Sequence, residues 1–286
     1  MYKILEKKGL TVNQTLYKVE APHVAAKVQP GQFVIIRAFE NGERIPVTPV
    51  RWNKEEGWVD LIVLTRGKTT KRMEVELKEG GYLLDIAGPL GNPAEHLSGK
   101  KILTIGIMTG LVEVYPIAKM WKEEGNTIIS LHIVPEPLLI MKEDFEAFSD
   151  RHVVGAYPMK ETWMMDMVTE AKKYTKQLIE EEKPDMVFIV GPTGVQYQVF
   201  NVVKEYGIPM EVDLHPIMVD GTGMCGACRV HVGGEVKFAC VDGPSFDAYK
   251  VDFEELIKRN GFYSDKEKYA MELYLKSVQG GAGSGN

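Results

Sequence analysis

The only three cysteines, Cys225, Cys228 and Cys240, stand together in one short window. Thiolates this close bind soft metals or carry redox chemistry, and an odd number makes a disulfide scaffold a poor explanation. The first two belong to the loop Asp220-Gly221-Thr222-Gly223-Met224-Cys225-Gly226-Ala227-Cys228, and Cys240 follows after eleven residues. Plant-type 2Fe-2S sites use C-x4-C-x2-C plus a distant fourth Cys, a spacing that wraps a loop around two irons. Here the first position of that pattern is Asp220. A carboxylate can ligate iron as a harder, more charged donor than thiolate, which makes Asp220 a candidate fourth ligand. Gly221, Gly223 and Gly226 allow the backbone to approach a cluster and its N–H groups to point at sulfur. Iron-sulfur chemistry is the favoured reading. Two others stay open on spacing alone: a zinc site, which ordinarily uses paired C-x2-C knuckles where this chain has one, and three inert buried thiols.

The runs from His215 to Val230 and from Val236 to Pro244 resemble the small-subunit family of NADH-dependent ferredoxin:NADP oxidoreductases. That family is similar to archaeal sulfide dehydrogenase subunit beta and, more distantly, to the electron-transfer subunit of dihydroorotate dehydrogenase. In domain order the resemblance covers nearly the whole chain. It implies a 2Fe-2S centre held by one Asp and three Cys, here Asp220, Cys225, Cys228 and Cys240. Arg44-Ile45-Pro46-Val47-Thr48 looks like the flavin fingerprint of the ferredoxin-reductase superfamily, an Arg followed four residues later by Ser or Thr. Side chains two apart on an extended strand share a face, so Arg44, Pro46 and Thr48 can address one ligand. Arg supplies fixed donors for a pyrophosphate, and a hydroxyl can bond the isoalloxazine edge. Taken alone the motif is no more than a surface strand with an exposed Arg. Pro30-Gly31-Gln32-Phe33-Val34 and Gly67-Lys68-Thr69-Thr70 strengthen it, since they resemble the family's preceding strand and its phosphate-contacting turn. FAD is the implied flavin.

The resemblance also implies a nicotinamide-binding loop G-G-G-x-G-x-A-P after the first strand of an α/β domain. The chain has Gly106-Ile107-Met108-Thr109-Gly110-Leu111-Val112-Glu113. Gly106 and Gly110 remain as candidate contacts. Ile107 and Met108 place bulk where backbone would approach a pyrophosphate, and Glu113 brings negative charge toward a polyanion. Three further segments depart in the same direction. Gly191-Pro192-Thr193-Gly194-Val195-Gln196 replaces G-P-x-x-M-M; Val134 to Ile140 carries no Arg; and Gly155 to Met165 is not the expected polar, Asp- and Gly-rich loop. Four departures at one pocket imply changed ligand use. The cluster Trp163, Met164, Met165 and Met167 reads first as core or subunit interface and second as a new ligand pocket.

These residues need elements to position them. Up to about Asp85, Thr15–Val19, Phe33–Arg37 and Trp58–Leu64 are short β-type runs punctuated by Pro30-Gly31, Asn41-Gly42 and Gly80-Gly81, as in a small antiparallel barrel. Beyond Pro93 the period changes. Strands at 101–105, 127–133 and 185–190 alternate with helices at 114–124, 162–182 and 197–206, which predicts a parallel α/β sheet. The Gly-rich segment from Pro216 to about Pro244 is too short to build much core, so a cofactor is expected to organise it. Helices are expected at 252–260 and 265–277. The predicted fold is multi-domain: an FAD-binding β-barrel over 1–98, an NAD(P)-binding-like α/β domain over 99–215, a 2Fe-2S domain with C-terminal helices over 216–279, and a flexible tail over 280–286.

Composition sets outer limits. The 286 residues carry 34 Lys and Arg against 40 Asp and Glu, a formal net charge of −6 that argues against a broad nucleic-acid surface. No run approaches the roughly 18 apolar residues of a membrane span, and the first residues show no signal-peptide pattern; the expected location is the cytoplasm. The preferred function is an oxidoreductase subunit passing electrons between FAD, a 2Fe-2S cluster and a partner. By resemblance that partner is a larger glutamate-synthase-small-chain-like flavoprotein with its own clusters, coupled to ferredoxin. In one version NAD(P)H still donates hydride. In another the chain is a relay and assembly subunit without nicotinamide binding. A zinc-stabilised, non-redox binding module is the third reading. His23, His96, His132, His152 and His231 lack metal-like spacing and read as surface or hydrogen-bonded histidines; for His215, five residues before Asp220, a place near the cluster is the lesser reading, resting on sequence proximity alone.

Overall fold

Alternation along short strands builds the N-terminal unit. In the computed structural model, which describes residues 1–281, Tyr17 and Val19 are buried while Leu16 and Lys18 are only partly so. The unit contains β1 (Tyr2–Thr11), β2 (Gln14–Glu20), α1 (Pro22–Ala25), β3 (Phe33–Arg37), β4 (Arg44–Val47), β5 (Pro49–Asn53), β6 (Trp58–Leu64), α2 (Lys68–Glu76), β7 (Tyr82–Leu83) and β8 (Asp85–Leu90). Its antiparallel strands form two sheets, β5-β6-β2-β1-β7 and β4-β3-β8. The chain steps from one sheet to the other at Thr48 and again at Leu84. Both sheets therefore face one core, which includes Ile4, Tyr17, Ile36, Val47, Leu61 and Ile86, with Met73 of α2 at its end.

The middle unit alternates β9 (Lys101–Ile107), α3 (Leu111–Glu123), β10 (Thr127–Pro135), α4 (Lys142–Glu146), β11 (Arg151–Tyr157), α5 (Trp163–Glu182), β12 (Met186–Val190), α6 (Thr193–Glu205) and β13 (Met210–Asp213). The strands pair in parallel in the order β11-β10-β9-β12-β13. Helices cover both faces, which is why β9 reads as an almost unbroken apolar run, Ile102, Leu103, Ile105 and Ile107 all being inaccessible. Trp121 of α3 packs edge-on against Phe188 and donates its indole N–H to the Glu95 carbonyl at 2.8 Å. The helix expected from Tyr197 begins four residues earlier, at Thr193, because Pro192 supplies an extended N-cap. The helix expected from Val114 starts at Leu111.

The last unit holds a hairpin of β14 (Arg229–Val232) and β15 (Glu235–Phe238), then α7 (Ala239–Asp242), β16 (Ser245–Asp247), α8 (Phe253–Asn260) and α9 (Ser264–Gly281). Strand β16 lies antiparallel to β13, with Asp213 opposite Ser245, and becomes the sixth strand of the middle sheet. The Asp252 carboxylate caps α8 by accepting the Glu255 N–H at 3.0 Å. The first two residues of the predicted tail, Gly280 and Gly281, close α9, and 282–286 lie outside the described residues. No helix among the described residues is long and apolar enough to cross a membrane.

The units interlock. Asn92, leaving the barrel, donates its N–H to the Gly243 carbonyl at 2.7 Å and its amide group to the Val241 carbonyl at 3.3 Å. Barrel residues Val50 and Ile62 share a buried cluster with Leu111, Tyr115 and Trp121 of α3.

Candidate functional site

The cluster-type loop is assembled against the barrel. Cys228 and Cys240 are both buried, and their sulfurs lie 3.1 Å apart as free thiols. Around them pack Phe33 and Ile35 of β3, Met218 and Ala239. Burial, with the Cys228 thiol beside it, pushes the Cys240 thiol up to about 12, and the Gly223 N–H aimed at its sulfur works the other way. This is the N–H-to-sulfur arrangement that the glycine spacing predicts. Asp220 holds the other side of the loop. Its carboxylate accepts the Thr222 and Cys225 N–H groups, each at 2.8 Å, and the Thr222 bond leads in holding its pKa below the usual carboxylate value. Cys225 is exposed on the same loop. The structure thus brings Cys228 and Cys240 together, whereas Asp220 and Cys225 meet through a backbone bond. Among the described residues no three His, Cys, Asp or Glu side chains converge as a metal-binding set. The donor chemistry fits a 2Fe-2S cluster nevertheless: three unpaired thiols and one ionised carboxylate sit on a single loop and the helix behind it, with backbone N–H available to sulfur.

Beside this loop runs a surface groove on β3, β4 and β8. An open pocket of ≈ 180 Å³ is lined by Ile35, Arg37, Arg44, Asp85, Ile86 and Ala87. Arg44 and Pro46 are exposed there, Val47 points into the barrel core, and Thr48 is half-buried one residue beyond the end of β4. Arg44 and Pro46 are therefore presented together, with Thr48 at the step between sheets. Gly67 caps α2 in extended conformation, and the Thr70 hydroxyl accepts the Arg66 and Gly67 N–H groups at 2.9 and 3.0 Å. Thr70 is thus used inside the helix cap, and Thr69 is buried. The amides of Lys68, Thr69 and Thr70 form the helix's first turn, where N–H groups have no intrahelical acceptor and suit a phosphate. Arg72 of α2 stacks on Phe39, close to the turn leading into Arg44. The exposed Arg, the pocket and the helix start make a set of residues suited to FAD.

The two sites share a residue. Ile35 lines the flavin-type pocket and packs with Cys228 and Cys240. Gly221, at φ +75°, seats the cluster loop so close to β3 that a Cβ there would lie 2.7 Å from the Ile35 and Leu90 methyls.

At the carboxyl edge of the parallel sheet, where open α/β folds bind nucleotides, the glycines serve packing. A Cβ on Gly106 would lie 2.6 Å from Leu111 Cα, and one on Gly110 would lie 2.3 Å from the Val190 carbonyl oxygen. Met108, in the left-handed region at φ +58°, leads a 3₁₀ turn over Met108–Gly110. Glu113 in the first turn of α3 is 2.7 Å from Nε2 of His215, just past β13. Sequence reasoning gave His215 a place near the cluster only as its lesser reading and set Glu113 in the nucleotide loop, and it missed that the two meet. Asp213 is buried beside them and bonded by the Ser245 hydroxyl. Of the Trp–Met cluster, Trp163 and Met167 pack on the core, while Met164 and Met165 are exposed. His132 and His152 pair at 3.3 Å inside the fold, away from the cysteines.

Comparison with known proteins identifies this assembly. Residues 215–252 match the iron-sulfur cluster binding domain of dihydroorotate dehydrogenase B. A solved structure of an NADH-dependent reduced ferredoxin-NADP oxidoreductase, described for its insights into flavin-based electron bifurcation, has a chain 41% identical to this one. It superposes with a TM-score of 0.84, covering 96% of this chain and 98% of that one. The ferredoxin reductase of carbazole 1,9a-dioxygenase, 16% identical with a TM-score of 0.56 over 74% of this chain and 68% of its own, shares the fold. The dihydroorotate dehydrogenase B (NAD(+)), electron transfer subunit homolog of Thermotoga maritima is 43% identical over 264 residues, 91% of this chain and 90% of that protein. Barrel, parallel sheet and cysteine loop together with this identity show that the chain belongs to the family of dihydroorotate dehydrogenase B electron transfer subunits and their homologs, with a ferredoxin-reductase-like fold.

Proposed function

We propose that this chain carries FAD and one 2Fe-2S cluster as the electron-transfer subunit of a heteromeric ferredoxin:NAD(P) oxidoreductase-like complex. The observation that carries it is Ile35, which lines the Arg44 pocket on one side and packs with Cys228 and Cys240 on the other. When bound, FAD exchanges electrons in pairs or singly and the cluster singly, so the pair connects two-electron donors with one-electron carriers. The protein's part is to hold and place both. Arg44 binds the pyrophosphate, assisted by the first-turn amides of Lys68, Thr69 and Thr70 behind the Gly67 cap, and Thr48 bonds the flavin edge. Pro46 and Val47 fix the strand that presents them. Asp220, Cys225, Cys228 and Cys240 hold the cluster, with Phe33 and Ile35 keeping water from the Cys228 and Cys240 sulfurs. In this reading 1–98 is the flavin barrel, 99–215 the α/β domain and 216–279 the cluster domain. The partner is a larger glutamate-synthase-small-chain-like flavoprotein with its own clusters, working in the cytoplasm with ferredoxin. Support for a partner comes from relatives named as subunits and from hydrophobic side chains exposed around the cluster loop, Val219, Met224 and Val241.

Protein purified without oxygen tests the assignment. It is expected to contain FAD, with iron and sulfide in equal amounts, and to lose its visible absorbance on reduction by dithionite. Arg44→Ala should lower FAD occupancy at least tenfold while sparing iron, and Cys228→Ser should remove the iron while sparing FAD. Colourless protein containing zinc would refute the proposal.

A further inference from the structure

Met108 and Glu113 close the carboxyl edge of the parallel sheet from both sides. Its strands run β11-β10-β9-β12-β13. The Met108 side chain, from the end of β9, reaches 3.9 Å from the Tyr157 hydroxyl at the end of β11 and so passes the end of β10. From the other flank, Glu113 reaches His215 at 2.7 Å, passing the end of β12 to the strand beyond it. Asn260 of α8 adds a further tie by donating to the Thr193 hydroxyl and the His215 carbonyl, each at 3.2 Å, and so joins the start of α6 to the end of β13. Gly106 and Gly110 serve packing beneath these bridges, since a Cβ at either would meet Leu111 or the Val190 carbonyl. A helix start favours negative charge, and the start of α3 already has a carboxylate of its own, Glu113.

We propose that Glu113 is a specificity-determining residue of this electron-transfer subunit: with His215 it forms a clasp that fills the phosphate end of the sheet-edge crevice, so the closed protein rejects nicotinamide dinucleotides. The inference rests on the reading of the chain as a flavin and iron-sulfur subunit, and it concerns which donor that subunit admits. Any dinucleotide entering here must bring its pyrophosphate against the Glu113 carboxylate or break the pair with His215. Both routes weaken binding through like charge or a lost ion pair. Removing the carboxylate reverses the effect, since His215 and the α3 amides then face the phosphate.

Anaerobic calorimetry of the holoprotein with NAD⁺ and NADP⁺ reads binding directly, whether or not the flavin responds. The parent is expected not to saturate below millimolar nucleotide. Glu113→Gln and Glu113→Ala should bind at least tenfold tighter, a gain that salt weakens. His215→Ala, which keeps the carboxylate, should gain much less. Unchanged flavin and cluster absorbance shows that each variant is folded. Micromolar binding by the parent overturns the proposal without any variant. So does folded Glu113→Ala that gains nothing, or His215→Ala gaining as much, which would move the role to the imidazole. Absence of FAD or iron from the parent would instead count against the functional reading, leaving the nucleotide comparison intact.

Discussion

Asp213 is a carboxyl group with no water around it, 2% exposed at the end of β13. Burial, reinforced by Glu113, pushes its pKa up to about 7, and burial also lifts Glu211 to about 7. The His215 ring is 40% exposed; partial desolvation on its inner side favours the neutral ring, but the Glu113 carboxylate and Asp213 outweigh it and raise the pKa to about 9. All three values lie above those of the unfolded chain. Each group therefore contributes stability that is complete at low pH and is lost as pH rises through its folded value. The carboxyl contributions disappear as pH climbs toward 7, and that of His215 between 6.5 and about 9. Urea denaturation at several pH values should show the parent losing about 1 to 3 kcal/mol relative to Asp213→Asn between roughly pH 4 and 7. Parallel curves for the two proteins would count against a neutral Asp213. The iron-sulfur character of residues 215–252 was legible at this scale because C-x2-C with an acidic residue five positions upstream is a local pattern. The Glu113–His215 contact was not, since its members lie 102 residues apart and only the sheet brings them together.

Elements were legible where burial forces a long apolar run. Strands β9, β10 and β12 are flanked on both faces and therefore visible in the sequence. Strand β11 was missed because Arg151, His152 and Gly155 interrupt its apolar residues, and β13 and β16 because four and three residues are too few to show a period. The glycines after β9 show what element contact demands. They resemble remnants of a phosphate loop, yet the structure sets them against α3 and β12. Gly110→Ala should accordingly destabilise the protein by about 2 to 3 kcal/mol, since the new methyl meets backbone that cannot move aside. Chemical denaturation checks this, and a change below about 0.5 kcal/mol would mean that the edge has slack.

Across the whole molecule, the order of the three units was readable from changes of residue period, but the way they interlock was not. Asn92 bonds Gly243 and Val241, and Gly221 rests on Ile35 and Leu90. A side chain at Gly221 both strains a left-handed residue and lifts the cysteine loop off the barrel. Gly221→Ala is expected to cost about 1 to 2 kcal/mol and to slow electron exchange between flavin and cluster while each remains bound. Rapid-reaction spectroscopy after reduction of the flavin measures that rate. An unchanged rate would show that contact through Ile35 does not set the separation of the two centres.

Strand β16 has a consequence for how the protein is made. The sheet it completes is otherwise translated by Asp213, but the ribosome must first produce the whole hairpin and α7 before Ser245–Asp247 can pair. Until then the nascent chain shows a bare strand edge, where two unfinished copies could stick together. Pairing of Ser245–Asp247 with Glu211–Asp213 ends that exposure, so the last unit shields the middle one as soon as it has been made.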